Sequence, residues 1–170
     1  MGDDIDEVRA RLNSIVSQLG AAIDFRQGLV GFGSALQHFN IAHHGEAHIH
    51  SAFTGDINIF ASALDELVIT GAFEPGFQAV VVGMSEPMGC RPGAGVCAIL
   101  STDERAHINA DAPETKADAL AALNTRNAVF LGIVNPHEPA VNNDYGPNPG
   151  SLSAATGGQV INIGDFRVNP

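Results

Sequence analysis

The chain has 170 residues, a length that suits one domain with a full hydrophobic core. Eight Lys and Arg stand against 19 Asp and Glu, a formal net charge of −11 with no basic stretch, so a phosphate backbone is repelled and nucleic acid is not an expected partner. No apolar run approaches the ~20 residues that span a bilayer, which argues against a membrane partner as well.

The opening MGDDIDEV is acidic and lacks the apolar stretch of a secretory signal, so the expectation is a soluble chain made without one. From Ile5 to about Phe25 the apolar residues follow a helical period. Placing Ile5 at heptad position a puts Leu12 and Leu19 at a, with Val8, Ile15 and Ala22 at d. Leu at a with β-branched residues at d shifts a parallel coiled coil toward trimers or tetramers, so residues 1–27 read as a helix and an oligomerisation segment. An ordinary amphipathic helix packed on its own domain is the competing reading, because Val16 and Ile23 widen the stripe beyond a strict seam.

Gly28, Gly31 and Gly33 end that helix, and residues 28–170 read as a β-rich domain. The runs HIHSAF, DINIF, ELVITGAF, FQAVVVGM, VCAIL, AHINA, AVFLGIV and QVINIGDFRV have strand length and carry Val, Ile or Phe in or near alternation. Glu74-Pro75-Gly76 between the third and fourth runs reads as a hairpin turn. One helix is expected among them, KADALAALN, with Thr115 and Asp118 spaced as a capping box. Without regular helices between the strands, the pattern does not suggest βαβ units. Residues 135–158 hold four Pro, four Gly and four Asn and read as an extended arm suited to a partner. The fold expected is mainly β, an antiparallel sandwich or barrel with an N-terminal and a short internal helix, with α+β as the alternative.

Five of the seven histidines, His38, His43, His44, His48 and His50, fall in one short stretch. On a strand, His44, Glu46, His48 and His50 share a face. Residues two apart sit ~6.5–7 Å apart along a strand, so His48 and His50 alone can converge on one ion. His107, His137, Cys90 or Cys97 would have to complete a zinc site within one chain. Cys90 and Cys97 bracket a small loop and are expected reduced unless the setting is oxidising.

The segment HGE at 44–46, with PMGC and Cys97, resembles the zinc-dependent cytidine deaminases, but Cys90 and Cys97 are spaced too far apart for that family's Cys pair. HIH with Ser62 and Asp65 resembles the JAMM isopeptidases, with too long an intervening segment, and HIH alone resembles cupins, whose following glutamate is replaced by Phe53, Thr54 and Gly55. GFGSA at 31–35 and GCRPGAG at 89–95 match neither a nucleophile elbow nor a P-loop. A zinc-dependent hydrolase or deaminase using His44, Glu46, His48 and His50 is therefore the second functional expectation.

The first comes from symmetry. A heptad helix followed by His-x-His resembles the trimeric tail fibres and spikes of bacteriophages, over residues 5–50 at most. That resemblance implies a homotrimer in which His48 and His50 of three chains bind an Fe or Zn ion on the axis. It implies a non-enzymatic structural part of a virion, a fibre, spike or capsid-decoration protein, whose partners are itself and other assembly proteins.

Overall fold

The structure is a computed structural model and describes residues 23–33, 45–67 and 73–168. Strands β1 (Gln27–Gly31) and β2 (His48–Thr54) form an antiparallel pair that sets Gly31 opposite His48 and Val30 opposite Ile49. Helix α1 (Ile57–Asp65) follows, started by the Asp56 carboxylate, which accepts the Asn58 N–H at 2.9 Å. Its Phe60 and Leu64 are buried with Leu29, Ile57, Ala61 and Leu67 in a small cluster of their own.

Helix α2 (Gly76–Gly83) packs against β1, β2 and the strand that comes next, β3 (Cys97–Thr102). Its first residue is Gly76, where a side chain would collide with the Tyr145 hydroxyl. Between α2 and β3 runs a single 3-10 turn, Glu86–Met88. Helix α3 (Lys116–Thr125) then leads to β4 (Val129–Val134), two short helices α4 (Pro139–Asp144) and α5 (Leu152–Thr156) lead to β5 (Val160–Asn162), and α6 (Ile163–Val168) follows directly.

Strands β3, β4 and β5 form a parallel sheet in that order, with Leu100 beside Gly132 and Val134 beside Asn162. The main core lies on one face of this sheet. Leu100, Phe130 and Val134 meet Phe77 and Val80 of α2, Ala119 and Leu123 of α3, and Leu152 of α5, with Val141 and Tyr145 closing one end. Phe77 and Phe130 flank the Tyr145 ring at centroid distances of 5.7 and 6.2 Å. The opposite face is covered only in part: Ile133 is buried there, but its neighbours are not. Ile99 is 65% exposed, Val129 39% and Ile161 41%.

The fold is therefore mixed α/β and not mainly β. DINIF and FQAVVVGM, expected as strands, lie in α1 and α2, and Pro75 precedes a helix where a hairpin turn was expected. Short apolar runs carry no period that separates a strand from a buried helix, and the surroundings of α2 bury it on most sides. AHINA has no regular structure, QVINIGDFRV is a strand for Val160–Asn162 alone, and the 135–158 arm contains α4 and α5. The segment β3-α3-β4 is a βαβ unit, contrary to the expectation of none, because parallel neighbours need a crossover. Helix α3 forms as expected, with both bonds of the Thr115/Asp118 capping box present. The heptad residues Ile5, Val8, Leu12, Ile15, Leu19 and Ala22 lie outside the described residues, as do His38, His43 and His44. Among the described residues no helix is long and apolar enough to cross a membrane.

Candidate functional site

Parallel strands splay their connecting loops at the carboxyl edge, and there the fold opens a crevice of about 470 Å³. Its walls are Asp103, Glu104, Arg105 and His107 after β3, and Asn135, Glu138, Ala140 and Val141 after β4. Among the described residues of this lining, three carboxylates stand against a single guanidinium.

The floor is held by Glu74, the buried residue two before α2. Its carboxylate accepts a hydrogen bond from the Thr102 hydroxyl at the end of β3, and Thr102 Oγ1 in turn accepts the Glu104 N–H at 3.2 Å. The Glu74 backbone pairs with His107 twice. His107 N donates to the Glu74 carbonyl at 2.9 Å, and Glu74 N donates to His107 Nδ1 at 2.9 Å. With Nδ1 accepting, the neutral imidazole carries its hydrogen on Nε2, which lies 3.9 Å from the Glu104 carboxylate. The ring stacks on Phe73 at 5.7 Å.

Burial pushes the Glu74 carboxyl above its usual range; the Thr102 hydrogen bond pulls the other way, and the charges of Asp103 and Glu104 push it further up. Tyr145, beneath the same floor, is pushed well above the ordinary phenol value by burial first and by Asp144 and Glu74 next. The far wall is tied by Asp144, whose Oδ2 accepts the Ala106 N–H at 3.1 Å while Oδ1 sits 3.7 Å from Lys116 Nζ. Further along the same loop, Asn109 Oδ1 accepts the N–H groups of Asp111 and Ala112, each at 2.8 Å. Buried Gln78 spans from this loop to the histidine segment: Nε2 donates to the Asp111 carbonyl at 3.1 Å and Oε1 accepts the Ala47 N–H at 2.7 Å.

Of the described residues singled out in the sequence as metal or catalytic candidates, His107 lines the crevice and the others lie elsewhere. His48 and His50 are half-buried on β2; His48 Nε2 is 3.8 Å from Glu46, and the His50 ring lies against Gly31, where a Cβ would meet Nε2 at 2.6 Å. His107 is in the crevice and His137 is exposed on the loop after β4. Cys90 and Cys97 are free thiols, and burial pushes Cys97 up, away from thiolate reactivity. Among the described residues no three His, Cys, Asp or Glu side chains are grouped closely enough to hold a metal.

No family model matches the chain, and no curated protein matches it. The site therefore stands on its own geometry. Its signal in the sequence was the placement of polar residues directly after two apolar runs, Thr102-Asp103-Glu104 after VCAIL and Asn135-Pro136-His137-Glu138 after AVFLGIV. Reading those runs as parallel neighbours, which needs the helix between them, would have pointed to a shared edge.

Proposed function

We propose that the chain is a binding module and that its ligand presents a positively charged group, an amine or guanidinium, to the crevice beyond the carboxyl ends of β3 and β4. The observation that carries this reading is the lining: Asp103, Glu104 and Glu138 against Arg105 alone, in a crevice large enough for a side chain or small ligand. A crevice walled by one sign of charge concentrates ligands of the other. Binding is favoured over catalysis by the same lining. Among the described residues it contains no Ser, Cys or Lys, and the neighbouring Thr102 hydroxyl is engaged with Glu74. His107 is bonded through Nδ1 to a backbone amide, which occupies the lone pair that a general base would use.

The test is a titration of the chain with Gly-Lys-Gly and Gly-Arg-Gly, followed by NMR. Binding is expected to weaken as salt rises, and an Asp103→Asn, Glu138→Gln double variant should weaken it about tenfold or more. All the peptides are N-acetylated and C-amidated so that the side chain carries the charge, and equal binding of the capped Gly-Gln-Gly would sink the reading.

The assembly reading is a second proposal, favoured by one feature. Ile99, Val129 and Ile161 each expose apolar side chains from one face of the parallel sheet, and exposed apolar surface of this kind suits an interface. On this reading the chain self-associates, with a virion part as its most specific form and an axial ion held by His48 and His50. Sedimentation should then show a trimer at low concentration, with one ion per three chains; a monomer at every concentration refutes it.

A further inference from the structure

The crevice is lined by hydrogen-bond donors as well as carboxylates, and the fold fixes the orientation of two of them. On the β3 side, Glu74 N donates to His107 Nδ1 at 2.9 Å. A backbone amide can only donate, so Nδ1 is the accepting nitrogen and the neutral ring carries its hydrogen on Nε2. That Nε2 stands 3.9 Å from Glu104 Oε2, too far for a hydrogen bond. On the β4 side, His137 N donates to the Asn135 side chain at 3.1 Å. By the same reasoning the atom it meets is the amide oxygen, and what Asn135 has left to offer is the pair of hydrogens on Nδ2.

Arg105 is the third donor. Its guanidinium lines the crevice, and the backbone that carries it is held on either side: Glu104 N donates to Thr102 Oγ1 at 3.2 Å, Ala106 N to Asp144 Oδ2 at 3.1 Å and His107 N to the Glu74 carbonyl at 2.9 Å. The acids are placed among these donors. Asp103 and Glu104 flank Arg105 on the β3 side, and Glu138 on the β4 side makes no side-chain bond to cap its own helix α4. A ligand bearing only an amine or guanidinium brings donors alone, so it satisfies the acids, is repelled by Arg105 and leaves three donors facing a group that cannot accept. A carboxylate on the same ligand supplies the missing acceptors.

We propose that the crevice takes an amphoteric ligand of the basic amino-acid class, its amine or guanidinium held by Asp103, Glu104 and Glu138 and its free carboxylate by Arg105, His107 Nε2–H and Asn135 Nδ2. The proposal rests on the crevice reading and adds the ligand's second charge. Two sources carry this chemistry, a free basic amino acid and the carboxyl-terminal Lys or Arg of a peptide.

The test uses two ligands that differ only at the carboxyl group, Nα-acetyl-lysine and Nα-acetyl-lysinamide, titrated into the full chain and followed by NMR. The acid is neutral overall and the amide carries one positive charge, so the chain's net charge of −11 favours the amide. The acid is nevertheless expected to bind about tenfold more tightly, an order that local donors produce against that field. Arg105→Gln should bring the two affinities together. So should Asn135→Asp, which keeps an oxygen for the His137 N–H and puts a second oxygen in place of Nδ2. Equal binding of acid and amide by the unaltered chain overturns the proposal and leaves the crevice reading standing. Nα-acetyl-norleucine, which has the carboxylate and lacks the amine, should bind about tenfold more weakly than Nα-acetyl-lysine; if it binds as tightly, the crevice reading falls and the proposal with it, and only the carboxylate contacts stand. Binding of neither lysine ligand overturns both. Free lysine binding more tightly than Nα-acetyl-glycyl-lysine marks the amino acid as the source and the reverse a peptide end, and either order supports the proposal.

Discussion

Glu74 is a carboxylate in a place water scarcely reaches, and its proton affinity couples the crevice floor to the stability of the chain. Burial favours the protonated form, so the folded state holds this proton more tightly than the unfolded one. The stabilisation from Glu74 is complete below the ordinary value of 4.5 and is lost as pH rises from there through the raised folded value. Asp118 and Asp24 act in the opposite sense. The Thr115 hydroxyl and amide hold Asp118 below 3.8, and Arg91 does the same for Asp24, so their contributions are present above that value and fade as pH falls through their lowered values. Stability should therefore peak in mild acid. In Glu74→Gln the decline as pH rises above 4.5 should flatten, as urea unfolding measured at a series of pH values would register.

Gly158 enters β5 with its α-carbon against the backbone of β4. A Cβ there would overlap the Phe130 carbonyl oxygen and stand 2.7 Å from its carbon, and the central strand of the sheet has no room to give. Gly158→Ala should cost roughly 4 kcal/mol or more, measured by chemical denaturation, whereas Gly93→Ala, in open space with φ +75, should cost about 1 kcal/mol from backbone strain alone. Elements differed in how far their residues announced them. Helix α3 was legible because its signals are local: Thr115 and Asp118 at the cap, then Ala and Leu. Helix α1 carried a signal that reading DINIF as a strand passed over, Asp56 as a cap and Ile57, Phe60, Ala61 and Leu64 at helical spacing. In α2 no such signal exists, since three successive valines in a buried helix look like any apolar run. The crevice was hidden for the same reason. Asp103 and Glu138 become neighbours through the parallel pairing of β3 and β4, and that pairing is a fact of topology that no local residue encodes.

The described residues form two cores of unequal size. The larger joins α2, α3 and α5 to the parallel sheet; the smaller rests on Phe60 and Leu64 beneath β1 and β2. Local opening follows the apolar contact available to each part, so native-state hydrogen exchange should find the amides of α1 opening well before those of β4. Uniform protection across both would show that they unfold as one unit. Buried Gln78 of α2 bridges two segments distant in the sequence. With one end of its amide on the Asp111 carbonyl and the other on the Ala47 N–H, it ties the loop that walls the crevice to the residue just ahead of His48. Displacement of that loop by an arriving ligand is thereby transmitted to the histidine strand, and the imidazoles become remote reporters of occupancy. Their NMR resonances should move when the crevice fills, and a Gln78→Leu chain, deaf to the loop, should keep the ligand but lose the signal.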